Sequence, residues 1–256
     1  MEAIKNEMID AYNMKEVSLI IDDFLKNKKS SSWIAFDVDY TLTMPALNHS
    51  NALLPITKES LVEVFSEIKC ETKEEIDRSL SAILFLPQIL VDLASPEIIK
   101  KLQKRDNTTV FALTACLYKQ AVEEIRFYTL NSLGINFQNA FNISEIVFDN
   151  VTPYNQNVPK YSNGIIYSNG ENGAHNKGTV MRAFIKRIKQ VPQVFIIVDD
   201  RKQNIEDLQA IFSEYYPETE FFGILYHPNS DFPRVSQKLI ADELLKFIPK
   251  MTASER

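Results

Sequence analysis

Short apolar runs alternate with longer helical patterns along most of the chain. Four runs have the length and continuous apolar character of strands buried on both faces, and they cover residues 33–36, 110–114, 194–198 and 221–225. Apolar residues recur at helical spacing in five further segments, residues 14–26, 117–133, 177–189, 204–215 and 236–247. This alternation predicts a three-layer α/β fold with a parallel sheet, in which ligands bind outside the carboxyl ends of the strands.

One segment between the first two strands breaks this alternation. Residues 44–50 have the composition of an irregular loop, and a long helical pattern covers residues 57–104, with interruptions at Pro87 and Pro96. We therefore expect a mainly helical insertion, although these helices could also simply pack on the sheet. Residues 135–167 mix short apolar pieces with Pro and Asn, which is typical of irregular strands or a hairpin.

Two acidic residues, Asp37 and Asp39, directly follow the first strand. Residues two apart in an extended backbone point to the same side, so the two carboxylates should converge on one point. Paired carboxylates form a hard oxygen site for Mg²⁺, and they also allow one group to attack a substrate while the other transfers protons. The alternative is a solvated turn, in which Asp is also common.

Three further features follow along the chain. The second strand ends in Thr114, a helical pattern opens at Lys177, and the third strand ends in Asp199 and Asp200. With the two acids after the first strand, these features resemble the signature of the haloacid dehalogenase superfamily of phosphohydrolases. That signature is a hydrophobic strand with DxDx[T/V], a hydrophobic strand with [S/T], a Lys, and a hydrophobic strand with DD. The resemblance spans residues 33–204 and is greatest to a bacterial branch of the superfamily.

The resemblance implies a Rossmann-like core formed by residues 1–45 and 94–256, with a small helical cap at residues 46–93. It also implies a Mg²⁺-dependent phosphatase that hydrolyses phosphate monoesters through an aspartyl-phosphate intermediate. Its substrate would be a phosphorylated small molecule or a phosphoprotein. Two alternatives stay open: a phosphotransferase that uses the same intermediate, and a non-catalytic binding protein on the same scaffold.

Four residues carry the implied catalytic roles. By resemblance, Asp37 is the nucleophile, and Asp39 is the general acid that protonates the leaving oxygen and later activates water. Thr114 and Lys177 would hold the phosphoryl group, and a cation near a helix N-terminus needs an acidic partner such as Asp37 because the helix dipole disfavours it. Each has a structural alternative: a strand cap for Asp37, a β-branched strand end for Thr114 and a solvated surface residue for Lys177.

The resemblance also implies a metal site. The Mg²⁺ ligands would be Asp37, Asp199 and the backbone carbonyl of Asp39. Asp200 would support the site through water or by orienting the lysine. Asn204 is a second supporting candidate, and its alternative is a helix N-cap.

Other candidate residues fit less well. Cys116 lies close to Thr114, but no phosphate-cradling Gly/Arg loop follows it, which favours a buried structural thiol. The histidines His49, His175 and His227 share no metal-ligand spacing, and His49 is the one expected near substrate. Tyr40 stands where many members of the superfamily have a small residue.

Composition and net charge exclude several classes of protein. The 256 residues are 45% hydrophobic, enough for a substantial core, and the net charge of −6 argues against a nucleic-acid surface. Two cysteines, Cys70 and Cys116, do not suggest a disulfide framework. The first residues lack a signal-peptide pattern and no window has the length of a membrane span, so we expect a cytoplasmic protein without membrane contacts. The oligomeric state stays open.

Overall fold

The structure is a computed structural model that describes residues 7–50, 52–67, 82–116, 120–152, 157–170, 176–228, 232 and 235–246. The predictions for Cys70, for His175 and for the helical pattern over residues 68–81 fall outside these ranges. No helix in the described ranges is both long enough and apolar enough to cross a membrane.

The described elements follow one another in an alternating order. In chain order they are β1 (Glu7–Ala11), α1 (Met14–Leu25), β2 (Ser32–Phe36), β3 (Thr43–His49), β4 (Ala52–Pro55), α2 (Lys58–Glu67), a 3₁₀ turn (Ile83–Phe85), β5 (Gln88–Leu90), α3 (Ser95–Gln103), β6 (Thr108–Thr114), α4 (Gln120–Ser132), β7 (Glu145–Val147), β8 (Lys160–Ser162), β9 (Ile165–Tyr167), α5 (Lys177–Ile188), β10 (Val194–Asp199), α6 (Lys202–Tyr215), β11 (Glu220–Tyr226) and α7 (Gln237–Leu245).

The main sheet has eight strands in the order β1-β11-β10-β2-β6-β9-β8-β7. Neighbouring strands from β1 to β9 pair in parallel, and β9, β8 and β7 pair antiparallel. Strand β2 lies between β10 and β6, so the ends of these three strands meet at one edge of the sheet. The prediction of an α/β fold is therefore confirmed, with a sheet that is mostly parallel and not wholly parallel.

Both faces of the sheet are covered by helices. Successive residues of a strand point to opposite faces. Ile34 and Phe36 thus join one core cluster with residues of α1 and α3, whereas Trp33 and Ala35 join a second cluster with residues of α5 and α6. Because each strand is buried on both sides, its sequence is continuously apolar instead of alternating.

The described part of the insertion after β2 contains strands that its sequence pattern did not predict. Residues 43–49 form a strand, and β3 pairs antiparallel with both β4 and β5 in a separate three-stranded sheet. The loop prediction for residues 44–50 was wrong because pairing on both edges, together with burial of residues 43–47, overrides the turn propensity of Pro45 and Asn48. In the described part of the insertion, the helical structure is α2 and the 3₁₀ turn.

The insertion packs against the C-terminal helix. Leu47, Leu61 and Val64 share a third buried cluster with Ile240 and Leu244 of α7. The amide of Gln237 also donates a 2.7 Å hydrogen bond to Glu63 on α2. The two segments are far apart in sequence, and together they bury an apolar interface that neither could cover alone.

The sequence predicted the β8–β9 region only loosely, as irregular strands or a hairpin, and it did not predict β1. β8 and β9 form a hairpin whose turn, Asn163 and Gly164, has positive φ at both residues, the conformation that Asn-Gly favours in two-residue hairpins. A Cβ atom on Gly164 would lie 1.8 Å from the carbonyl oxygen of Phe137, so a glycine is required there. The edge strand β1 was not predicted, because its five residues of mixed polarity form neither an alternating nor a continuously apolar pattern.

Helix α5, which begins at Lys177, approaches α6 closely at Gly178. A Cβ atom at this position would lie 2.5 Å from the carbonyl oxygen of Asp207 and 2.9 Å from Cγ1 of Ile211. A backbone oxygen cannot rotate away as a side chain can. The close approach of α5 to α6 therefore requires a glycine at this position.

Replacing Gly178 with Ala should destabilise the protein. Alanine favours a helix over glycine by about 1 kcal/mol, but overpacking at a fixed backbone contact costs about 1–3 kcal/mol and also shifts the helix that begins with Lys177. We expect a net decrease in the free energy of unfolding, measured by urea denaturation. Lys186→Ala, at an exposed position of the same helix, is the matched control and should change little. A Gly178→Ala protein as stable as the wild type would contradict this account of the packing.

Candidate active site

Three neighbouring strand ends bring the predicted site residues together. Asp199 ends β10, Asp37 follows β2, and Thr114 ends β6. The backbone amide of Asp37 donates a 2.9 Å hydrogen bond to the carbonyl oxygen of Val198, which continues the pairing of the two strands up to the acids. The parallel register of the sheet thus holds all three side chains at its carboxyl edge.

Lys177 lies between two of these acids. Its Nζ is 2.5 Å from Oδ1 of Asp37 and 2.6 Å from Oδ2 of Asp199, and all three residues are buried. Burial alone would lower the pKa of Lys177, but the carboxylates of Asp199 and Asp37 outweigh it and raise this pKa above the usual lysine value. Lys177 is therefore both charged and buried. It is not the solvated surface residue that was the structural alternative.

The local sequence explains how Lys177 reaches this position. Asn176 is the N-cap of α5, and its side-chain oxygen accepts a 2.8 Å hydrogen bond from the backbone amide of Thr179. Lys177 is then the first residue of the helix. The helix dipole disfavours a cation at this end, and the two carboxylates compensate, as expected for Asp37.

Asp199 is fixed by several donors. The side-chain amide of Asn204 donates to both carboxylate oxygens, at 2.9 and 3.1 Å, and the backbone amide of Arg201 donates to Oδ1 at 2.9 Å. Asn204 lies within α6 and is not its N-cap, so the predicted supporting role is the interpretation that fits its contacts. These bonds leave Asp199 little rotational freedom.

The environment of Asp39 differs from that of Asp37. Its Oδ2 accepts a 3.3 Å hydrogen bond from the hydroxyl of Thr114, and its Oδ1 accepts a 2.7 Å charge-assisted bond from Arg126 on α4. Arg126 is 1% exposed. Burial would lower the pKa of Arg126, but Asp39 raises it, so the guanidinium stays charged.

Sequence reasoning missed Arg126, although a signal was present. Val122, Arg126 and Leu130 are spaced four residues apart, so they share one face of α4, and all three are buried. A charged residue in the middle of an apolar stripe indicates a buried partner.

The chain between Asp37 and β3 folds into a tight turn. Tyr40 has a φ of 62°, in the left-handed region, and its backbone amide donates to the carbonyl oxygen of Thr43. The hydroxyl of Thr41 donates a 3.1 Å bond to Oδ2 of Asp37. A bulky residue in this conformation is uncommon, and here it places an aromatic ring beside the acids.

Asp200 pairs with a residue of the insertion. Nζ of Lys58, the first residue of α2, is 2.7 Å from Oδ2 of Asp200 and 5.9 Å from the centre of the Tyr40 ring. The side chain of Lys58 is 41% exposed, whereas that of Asp200 is 7% exposed. The insertion therefore contributes a cation directly to the acidic cluster, a contact that the sequence did not reveal.

The acids are placed to hold a metal ion. Carboxylate oxygens of Asp37, Asp199 and Asp200 lie within 4.8 Å of one another, and a divalent cation prefers such oxygen donors. Burial, opposed by Lys177 and reinforced by Asp199 and Asp200, raises the pKa of Asp37 well above its usual range. A bound cation would relieve this repulsion, so the donor set fits a hard metal ion. The backbone carbonyl of Asp39 stays a predicted ligand.

Of the remaining candidates, Cys116 borders the site, because its backbone amide donates a 3.2 Å hydrogen bond to the hydroxyl oxygen of Thr114, whereas no described contact joins His49 or His227 to the acids of the site. Burial raises the pKa of the Cys116 thiol to about 11, so the thiol stays protonated at neutral pH. His49 is exposed at the end of β3, and His227 pairs with Asp10 at 2.6 Å and stacks on Tyr12 at the β1 edge of the sheet.

Comparison with known proteins places the chain in a family. A family model described as a protein of unknown function, DUF2608, matches residues 12–248. The HAD domain of the effector protein Lem4 from Legionella pneumophila, solved as an inactive mutant, is similar in structure with a TM-score of 0.38 and 10% sequence identity. That similarity covers 88% of this chain and 99% of the Lem4 domain. No curated protein matches the chain in sequence.

We predict that a divalent cation stabilises the folded protein by binding to the cluster of Asp37, Asp199 and Asp200. Mg²⁺ at about 100 times its dissociation constant should add about 2.7 kcal/mol to the free energy of unfolding, because it binds only the folded state. Urea denaturation with Mg²⁺ and with chelator measures this difference. Asp199→Asn should remove most of it, and Glu218→Gln, at an exposed position, should retain it. Equal Mg²⁺ stabilisation in wild type and Asp199→Asn would contradict the assignment.

Proposed function

We propose that this chain, which belongs to the DUF2608 family of proteins of unknown function, is a phosphatase of the haloacid dehalogenase type. It would use Mg²⁺ to hydrolyse phosphate monoesters, of small molecules or of phosphoproteins, through an aspartyl-phosphate on Asp37. The observation that carries the proposal is the buried Lys177, which contacts both Asp37 and Asp199 at the carboxyl ends of neighbouring parallel strands.

A purely structural origin is a poor explanation for this arrangement. Replacing a buried ion pair with apolar residues is often neutral or stabilising, so stability alone gives little reason to keep three charged groups in the core. Buried ionisable groups with strongly shifted pKa values cluster at functional sites. Lys177, Asp37 and Asp199 lie beside Thr114 and Asp39. Such a combination of one cation, several acids and a hydroxyl is suited to the transfer of a dianionic group.

The proposed reaction has two displacements. An oxygen of Asp37 attacks phosphorus, the phosphorus–oxygen ester bond breaks, and the leaving oxygen takes a proton from Asp39. In the second step Asp39 accepts a proton from water as that water attacks phosphorus, which releases inorganic phosphate and regenerates Asp37. Lys177 and the hydroxyl of Thr114 would donate to phosphoryl oxygens during both steps.

The metal would be held by Asp37, Asp199 and Asp200, with the backbone carbonyl of Asp39 as a further ligand. When bound, Mg²⁺ supplies charge neutralisation for a phosphoryl group that several carboxylates would otherwise repel. Asn204 keeps Asp199 oriented for this purpose. Thr41 does the same for Asp37 through its hydroxyl.

Residues 46–93 would act as a small cap that contributes contacts to the substrate. Support comes from Lys58, because its charge lies next to Asp200 while two fifths of its side chain is exposed. The cap would be anchored and not freely hinged, since α2 packs on the C-terminal helix α7.

The two acids after β2 should behave differently when each is neutralised. Asp37→Asn removes the nucleophile, so no covalent intermediate should form. Asp39→Asn keeps the nucleophile but slows hydrolysis of the intermediate on the order of 10²–10⁴-fold, so phosphoenzyme should accumulate with an aryl phosphate, whose leaving group needs little protonation. Mass spectrometry of acid-quenched protein tests both. An adduct in Asp37→Asn, or one on Cys116, would refute the mechanism.

A substitution in the insertion tests the proposed cap. Lys58→Met should change kcat/KM unequally among different phosphate esters, by about 10- to 150-fold for those that use Lys58, because a charge-assisted hydrogen bond contributes about 1.5–3 kcal/mol. Steady-state kinetics on a panel of alkyl, sugar and aryl phosphates measures this. Lys186→Met, an exposed lysine of α5, is the control. An unchanged order of preference in Lys58→Met would argue that the insertion has no role in recognition.

A further inference from the structure

We infer that Arg126 is a positioning residue that holds the carboxylate of Asp39 in the orientation needed to transfer protons. The inference rests on the proposed phosphatase function, in which Asp39 is the acid and base. It assigns a role to a residue outside the four sequence motifs, on the helix that follows β6.

The contact geometry restricts Asp39 at both of its oxygens. Arg126 donates to Oδ1 at 2.7 Å, and the hydroxyl of Thr114 donates to Oδ2 at 3.3 Å. The first contact is short and charge-assisted, whereas the second is near the limit of a hydrogen bond. Arg126 therefore provides most of the restraint.

Without this restraint Asp39 would be free to rotate. Its side chain is 40% exposed, and the residue directly precedes the tight turn at Tyr40. A solvated carboxylate with few contacts samples several rotamers. Proton transfer to a leaving oxygen requires the carboxyl group to lie within hydrogen-bond reach of it, and misplacement by about 1 Å can reduce a rate on the order of 10²-fold.

The burial of Arg126 is difficult to explain by stability alone. Its side chain lies between Val122 and Leu130 on the buried stripe of α4, where an apolar residue would pack without desolvating a charge. Among the described residues, Nε of Arg126 has no hydrogen-bond partner, so the guanidinium is not fully satisfied by its surroundings. Its guanidinium also contacts the thiol of Cys116, and its short bond to Asp39 is the contact that pairs its charge.

The same helix contains a second buried ion pair that offers a matched control. Glu123, one turn before Arg126, contacts Nζ of Lys160 at 3.0 Å, and both residues are buried. Neither residue contacts Asp39 or Asp37 in the described structure. Glu123→Gln should therefore disturb α4 and its stability without changing the restraint on Asp39.

A double-mutant cycle tests the inference. Arg126→Gln should lower kcat for an alkyl phosphate on the order of 10²-fold, with a smaller loss for an aryl phosphate and little change in KM. In an Asp39→Asn background the same Arg126 substitution should have an effect of about twofold or less, since Arg126 acts through Asp39. Arg126→Lys, which keeps the charge, should recover part of the activity.

A second measurement separates positioning from a general loss of structure. Acid-quenched Arg126→Gln should retain a phosphoryl adduct after reaction with an aryl phosphate, whereas Glu123→Gln should not. If Arg126→Gln fails to fold, Arg126→Lys carries the same test, with a smaller loss and a smaller adduct. Equal losses with and without Asp39, or no adduct in either folded Arg126 variant, would overturn the inference. A wild type without phosphatase activity would overturn the proposed function itself.

Discussion

The charge of Lys177 in the interior is the constraint on which the site depends. A buried ammonium is tolerated only with carboxylate partners and good geometry, and Asp37 and Asp199 supply both at 2.5 and 2.6 Å. Each partner lies at the end of a different strand, and the lysine begins a helix capped by Asn176. The register of β2 with β10 and the close packing of α5 on α6 at Gly178 must therefore both be correct for the charges to meet.

The charges around Lys177 are nearly balanced. Each of the two outer acids has its own cation, Arg126 for Asp39 and Lys58 for Asp200. Four carboxylates thus face three cations, which leaves one excess negative charge. A divalent cation together with a phosphate dianion would leave that balance unchanged, whereas either alone would alter it by two units. Under the proposed function, binding of the metal and binding of the phosphate ester should accordingly favour each other.

The outer cations come from different parts of the chain. Arg126 belongs to a helix that covers the sheet and is buried, whereas Lys58 belongs to the insertion and is partly solvated. The insertion is supported by α7, near the end of the described chain, through the cluster that contains Ile240 and Leu244. Losing that helix should loosen the contact at Asp200 before it disturbs Lys177.

The sequence by itself determined the four adjacent parallel strands β11, β10, β2 and β6, the helices on both faces and the acids at the strand ends, because buried parallel strands are continuously apolar and their polar ends stand out. It also indicated Thr114, Lys177 and Asn204, whose contacts connect Asp39, Asp37 and Asp199. Only the tertiary structure decided what Arg126 and Lys58 contact, because the sequence does not identify which residue, 87 or 142 positions away, is the partner of a given charge. The strand at residues 43–49 was likewise decided by pairing with β4 and β5, an interaction between segments that local propensity does not contain.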